Sequence, residues 1–142
     1  MAKNIYAHSA DFRNRVKALL PTPTDLKNLE DNAEWWSGGS PGEVLVGFGQ
    51  QSIHVSLFDV VWDGPHTPKV KGKKLFSLRY SMLPSSSDEA LEVIRLLIEA
   101  SRRIRLASFT ICSHCQEVTP PEWMHNETIC QGCAEKHLGV VY

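Results

Sequence analysis

Cys112-Ser113-His114-Cys115 and Cys130-Gln131-Gly132-Cys133 hold every cysteine of the 142-residue chain. Two cysteines separated by two residues can turn both sulfurs toward one point. Two such pairs supply the tetrahedral thiolate shell preferred by a structural Zn²⁺. Fourteen residues separate the pairs, slightly fewer than the usual lower bound of about 15 for this pattern. The same thiols could instead form two disulfides, hold an iron–sulfur cluster or stand idle. Disulfides need an oxidising compartment, and Met1-Ala2-Lys3-Asn4-Ile5-Tyr6 lacks the apolar run of a secretory leader. The expectation is one Zn²⁺ held by Cys112, Cys115, Cys130 and Cys133 in a cytoplasmic protein. A catalytic zinc keeps one position open on three protein ligands, whereas four thiolates close the shell, so the metal is expected to be structural. His114, His125 and His137 lie close in sequence and are assigned supporting or surface roles.

The elements around the cysteines follow from their neighbours. Cys130 opens a helix running through Leu138, with Gly139 as its stop. Pro120-Pro121 imposes a non-helical turn between the pairs. A knuckle, a short loop and a second pair at a helix start resemble a treble-clef or zinc-ribbon finger. Over about residues 112–136 the pattern is also similar to the finger of the DksA/TraR family, through Cys112, Cys115, Pro120, Cys130 and Cys133. Gln116 stands where a glycine usually follows the first pair, and that family's long acidic-tipped coiled coil has no counterpart. The resemblance implies zinc binding, while the missing coiled coil leaves little basis for the family's RNA-polymerase partner.

Upstream, the pattern predicts an α+β domain over residues 1–107, with the finger occupying 108–142. Ser9 caps a helix whose Phe12, Val16, Leu19 and Leu20 share a face. Pro21-Thr22-Pro23 ends it, and a second short helix is expected through Leu26, Leu29 and Ala33. Ser37 to Gly42 reads as a flexible loop. Three antiparallel strands follow: Glu43–Gly49, Ser52–Asp59 and Leu75–Met82. The polar stretch from Asp63 to Lys74 is expected to form a loop or hairpin tip. A long helix, capped by Ser87 or Asp88, should pack Ala90, Val93, Ile94, Leu97, Ala100 and Ile104 on the sheet and leave Arg102 and Arg103 wet. Trp123, Met124 and Ile129 are too apolar for a free bead, so the finger should dock on the domain.

A net charge of −1 excludes a globally basic nucleic-acid binder, yet the charge is unevenly placed. Residues 69–105 carry nine basic and four acidic side chains, whereas 106–142 carry four acids and one lysine. The finger is therefore a poor surface for phosphate. Lys69, Lys71, Lys73 and Lys74 could grip nucleic acid or simply form a solvated turn. Gly47-Phe48-Gly49 lacks the third glycine of a dinucleotide loop and leads into a strand, and no phosphate-loop motif is present. His54, Asp59, Asp63 and His66 could converge with a serine, and Trp35, Trp36 and Trp62 could line a groove or the core. No stretch is long and apolar enough to span a membrane. The leading expectation is a non-catalytic adaptor binding another protein. The alternatives are a nucleic-acid-associated transcriptional regulator using Lys69–Lys74 and a small enzyme with a pocket beside the sheet.

Overall fold

The computed structural model describes residues 5–29, 31–64 and 67–141. It is an α+β protein, as its periodicities predict, but with more sheet than expected. Helix α1 spans Ala10–Lys17, and Ser9 caps it by accepting from the Phe12 amide at 3.1 Å. Five strands then form an antiparallel meander in chain order: β1 (Thr24–Lys27), β2 (Glu34–Gly38), β3 (Val44–Phe48), β4 (Ser52–Trp62) and β5 (Pro68–Arg79). Helix α2 spans Ser87–Ala107 and starts at Ser86, whose hydroxyl accepts from the Glu89 amide.

The second short helix expected through Leu26, Leu29 and Ala33 is absent among the described residues: β1 takes its first part, and β2 begins just beyond it at Glu34. The reason lies in the partner strands. Trp35 and Trp36 alternate faces, so in β2 one reaches each side of the sheet, opposite Gly47 and Val46 of β3. Gly47 makes this fit, because a Cβ there would come within 2.8 Å of the Trp35 ring. The loop expected at Ser37–Gly42 is corrected too. Ser37 and Gly38 close β2 and are buried with Gly39. Gly38 is needed for close approach, since its Cβ would meet Pro21 Cδ at 2.7 Å, and Gly39 turns the chain at φ +95°.

Each face of the sheet has its own core. On one side Val44, Val46, Ile53 and Val55 pack with Phe12 and Val16 of α1 and with Ala90, Ile94 and Ile98 of α2. On the other, Trp35, Leu45 and Phe58 are covered by Leu29, Ala33, Val60 and Val70. Val44, Leu45 and Val46 are therefore all fully buried, as in a strand sheltered on both faces. Burying each contributes about 1.5–3 kcal/mol.

β4 and β5 pair out to Trp62 and Pro68, well beyond the expected ends, with a bulge at Leu75. Residues 68–74 are thus strand rather than loop or tip. The helix α2 stripe also shifts. Its buried positions are Ala90, Leu91, Ile94, Ile98, Ser101 and Arg105, whereas Ile104 is exposed. Among the described residues no helix is long and apolar enough to cross a membrane.

Candidate metal centre

After α2 the chain forms a two-stranded hairpin, β6 (Thr110–Ile111) and β7 (Val118–Thr119), with the first cysteine pair at its turn. A 3₁₀ turn at Pro121–Trp123 follows, then helix α3 (Gln131–Leu138). The prolines do what the sequence requires of them: Pro121 starts the short turn where an amide donor is dispensable. Cys130 is the N-cap of α3, its sulfur accepting from the Cys133 amide at 3.4 Å. Gly139 ends the helix at φ 67°, a left-handed cap suited to glycine.

These elements bring Cys112, Cys115, Cys130 and Cys133 together, with all four sulfurs within 4.8 Å of one another. The Cys115 and Cys130 sulfurs are 3.9 Å apart. Thiolates at ~2.3 Å from one tetrahedral ion would stand ~3.8 Å apart, so the donor set fits Zn²⁺. All four cysteines are free thiols, and a disulfide would need sulfurs at about 2.0 Å. The Cys130 amide donates to the Cys112 sulfur at 3.3 Å. Backbone amides, of Cys115 first and then Cys130, hold the Cys112 thiol down to about 6. Burial, and then the neighbouring sulfurs, push Cys133 up to about 12. One thiol therefore ionises readily and another strongly resists. A divalent cation removes that conflict, because a coordinated thiol is deprotonated outright.

The histidines are not among the clustered donors. His114 and His137 are exposed and stack on each other at 5.1 Å, and His125 is exposed as well. Gln116 closes the first knuckle at φ 65°, with its amide donating to the Cys112 carbonyl at 2.9 Å. The backbone there is one that favours glycine.

The cysteine-bearing segment meets the sheet through Trp123, one of its apolar residues, and through a buried ion pair that hydrophobic patterning did not single out. Arg105, at the end of α2, and Glu122, in the 3₁₀ turn, form a two-armed ion pair with only 3% and 4% of their side chains exposed. Arg105 Nη1 donates to Glu122 Oε2 at 3.0 Å, and Nε donates to the Gly42 carbonyl at 3.0 Å. The guanidinium also lies over Phe58 and Phe109. Trp62 Nε1 donates to the Glu122 carbonyl at 3.1 Å, and its ring meets Trp123 edge-on at 5.4 Å. Acid-base complementarity across 17 residues leaves no periodic signal, so these partners emerge only in three dimensions.

No family model, curated protein or solved structure matches this chain. The metal centre therefore rests on its own geometry.

The lysines expected at a hairpin tip lie on β5 instead. Lys69, Lys71 and Lys73 pair with Val61, Asp59 and Leu57 and share a face, whereas Lys74 pairs with Ser56 on the other. The alternation Lys69-Val70-Lys71-Gly72-Lys73 is itself a period-two strand signal. Lys74 reaches Asp31 at 3.7 Å.

The residues that could have converged as a catalytic set are spread. His54 stacks on Trp35, and its Nδ1 bonds Ser77 Oγ at 2.7 Å. Asp59 accepts from the Val60 amide, Asp63 lies at the end of the β4–β5 ribbon, and His66 falls outside the described residues. Trp35 is core, Trp36 lies under the Lys17 ammonium, and Trp62 bridges to the finger.

Proposed function

We propose that this chain is a non-catalytic zinc protein whose C-terminal finger, residues 108–142, is of treble-clef type and docks on an α+β domain over 1–107. The carrying observation is the convergence of four sulfurs within 4.8 Å on a knuckle and a helix start. That spacing suits a single ion, and four thiolates leave it no open position for substrate, so its role is to hold the fold. Thiols kept for metal belong in a reducing compartment, in keeping with a cytoplasmic setting.

The work of the protein, in this reading, is to bind another protein through the finger. Ile111 and Val118 face each other across β6–β7 and are 59% and 64% exposed. The surrounding segment carries four acids and one lysine, a surface that disfavours phosphate. Native mass spectrometry with elemental analysis should find one zinc per chain, and metal-free protein with two disulfides would sink the reading. A pull-down from native lysate should retain its partner after nuclease and lose it when Ile111 and Val118 are changed to Ser.

The second reading, a nucleic-acid-associated regulator, draws on Lys71 and Lys73, exposed on one face of β5. Binding of that kind is steeply salt-dependent through counterion release. Fluorescence anisotropy with duplex and single-stranded probes should show only weak association at low salt, abolished in Lys71→Ala/Lys73→Ala. Tight binding that survives physiological salt would put this reading first.

A further inference from the structure

On the sheet face away from the helices, the segment around Leu29 and the β4–β5 ribbon enclose a groove of about 520 Å³. Small-molecule sites typically span about 300–1,000 Å³. The groove lies outside the metal centre, and two observations, the Ser56 hydroxyl and the composition of the lining, describe an occupant.

First, Ser56 lines it, is fully buried, and has a hydroxyl with no hydrogen-bond partner among the described residues. Buried hydroxyls nearly always have one.

Gly72 belongs to the closely packed floor of the groove, beside Ser56. A Cβ at Gly72 would lie 3.3 Å from Leu45 Cδ1, 3.4 Å from Leu29 Cδ1 and 3.5 Å from Ser56 Cβ. Its φ is not positive, so the backbone does not call for glycine. Close approach to Leu45 and Leu29 calls for it instead, and a large side chain there would displace the groove floor.

Second, the lining joins a flat apolar wall to positive charge. Trp62 lines the groove, 36% exposed, and its indole is fixed by the hydrogen bond to the Glu122 carbonyl. Lys69, Lys71 and Lys74 line it against two carboxylates, Asp31 and Asp63. Asp31 already accepts from Trp35 Nε1 at 2.7 Å and the Ala33 amide at 2.9 Å.

We propose that this groove binds a small planar organic anion. Its ring lies on Trp62, its anionic group meets Lys74, the cross-strand partner of Ser56, and a polar atom reaches Ser56 Oγ. Aromatic stacking and ammonium contacts would supply the affinity, and the hydroxyl the orientation. Nucleoside monophosphates and aromatic carboxylates share this chemistry.

The test is a titration of the ¹⁵N-labelled, zinc-loaded full chain with adenosine monophosphate, with indole-3-carboxylate and with inorganic phosphate. At least one planar anion should shift the Trp62 indole and the Ser56 and Gly72 amides saturably, and at least tenfold more tightly than phosphate. Tighter binding of the nucleotide assigns a phosphoryl ligand, and tighter binding of the carboxylate assigns the other. Gly72→Leu should abolish the response with the indole signal of Trp36, on the opposite face of the sheet, unmoved. Lys74→Ala should weaken binding several-fold, as should Trp62→Ala, which keeps the test sound if Gly72→Leu does not fold. The absence of saturable shifts with both planar anions would overturn the proposal. So would phosphate binding as tightly as either, or a response unchanged in both Gly72→Leu and Trp62→Ala.

Discussion

Gln116 holds a left-handed backbone at φ 65° just after the first cysteine pair. A side chain in that conformation costs roughly 1 kcal/mol relative to glycine. Its amide group offsets part of this by donating to the Ser113 carbonyl at 3.0 Å. Gln116→Gly is therefore expected to raise stability by up to about 1 kcal/mol, and Gln116→Ala to lower it slightly. Thermal melts of zinc-loaded protein decide the matter, and a glycine variant no more stable than the alanine one would refute the strain. His54 makes a different residue-scale prediction. Burial, and then the Lys74 ammonium, hold its pKa below the ordinary 6.5. The folded state takes up this proton less readily than the unfolded chain. Its contribution to stability is thus present above about 6.5 and falls as the pH drops through that value toward the lower folded pKa. His54→Gln should flatten the loss of Tm between about pH 7 and about pH 5, and an unchanged slope would locate the acid sensitivity elsewhere.

At the scale of elements, the join between α2 and the 3₁₀ turn is set by a buried charge rather than an apolar stripe. Removing one member of such a pair strands the other without water, at a cost of about 3–5 kcal/mol, whereas replacing both with apolar groups can be nearly neutral. Glu122→Gln should accordingly destabilise strongly. Arg105→Met combined with Glu122→Met should lose much less than the two single changes added together. Denaturant unfolding around a double-mutant cycle measures the coupling, and additive losses would mean that the pair contributes nothing special. The ladder from β4 to β5 illustrates the same point for strands. Its far half runs past the lysines because Val60 and Val70 pair and pack on the Trp35 core.

At the scale of the whole molecule, the finger and sheet are expected to part company when metal is lost. Metal binding in isolated fingers supplies on the order of 10 kcal/mol of folding energy, far more than two short strands and an eight-residue helix could provide alone. Cys130→Ser, or chelation, should make amides beyond Phe109 exchange rapidly while β3, β4 and α2 stay protected. Trp123 is already 43% exposed, so its fluorescence should change modestly. Trp62 should respond more, because both its hydrogen bond and its ring contact come from the finger. Hydrogen exchange read by mass spectrometry distinguishes these outcomes, and unchanged protection beyond Phe109 would show that the metal does not hold the module.

The sequence by itself determined whatever local chemistry imposes. Cysteine spacing named the four thiols, Ser9 and Gly139 marked helix ends, the apolar run Val44–Val46 marked β3, and alternation found the first half of β4. These signals act over a few residues, where sterics and ligand reach leave little choice. Tertiary structure decided the rest. Residues 24–33 have the apolar spacing of a short helix, yet Thr24–Lys27 pair with β2, which is itself held on β3 where Trp35 lies over Gly47. The lysine run became β5 because β4 offered a long partner. Arg105 displaced Ile104 from the buried face because Glu122, 17 residues on, supplied a charge to meet it. Pairing of that kind depends on which segments arrive side by side, and no window along the chain contains both partners.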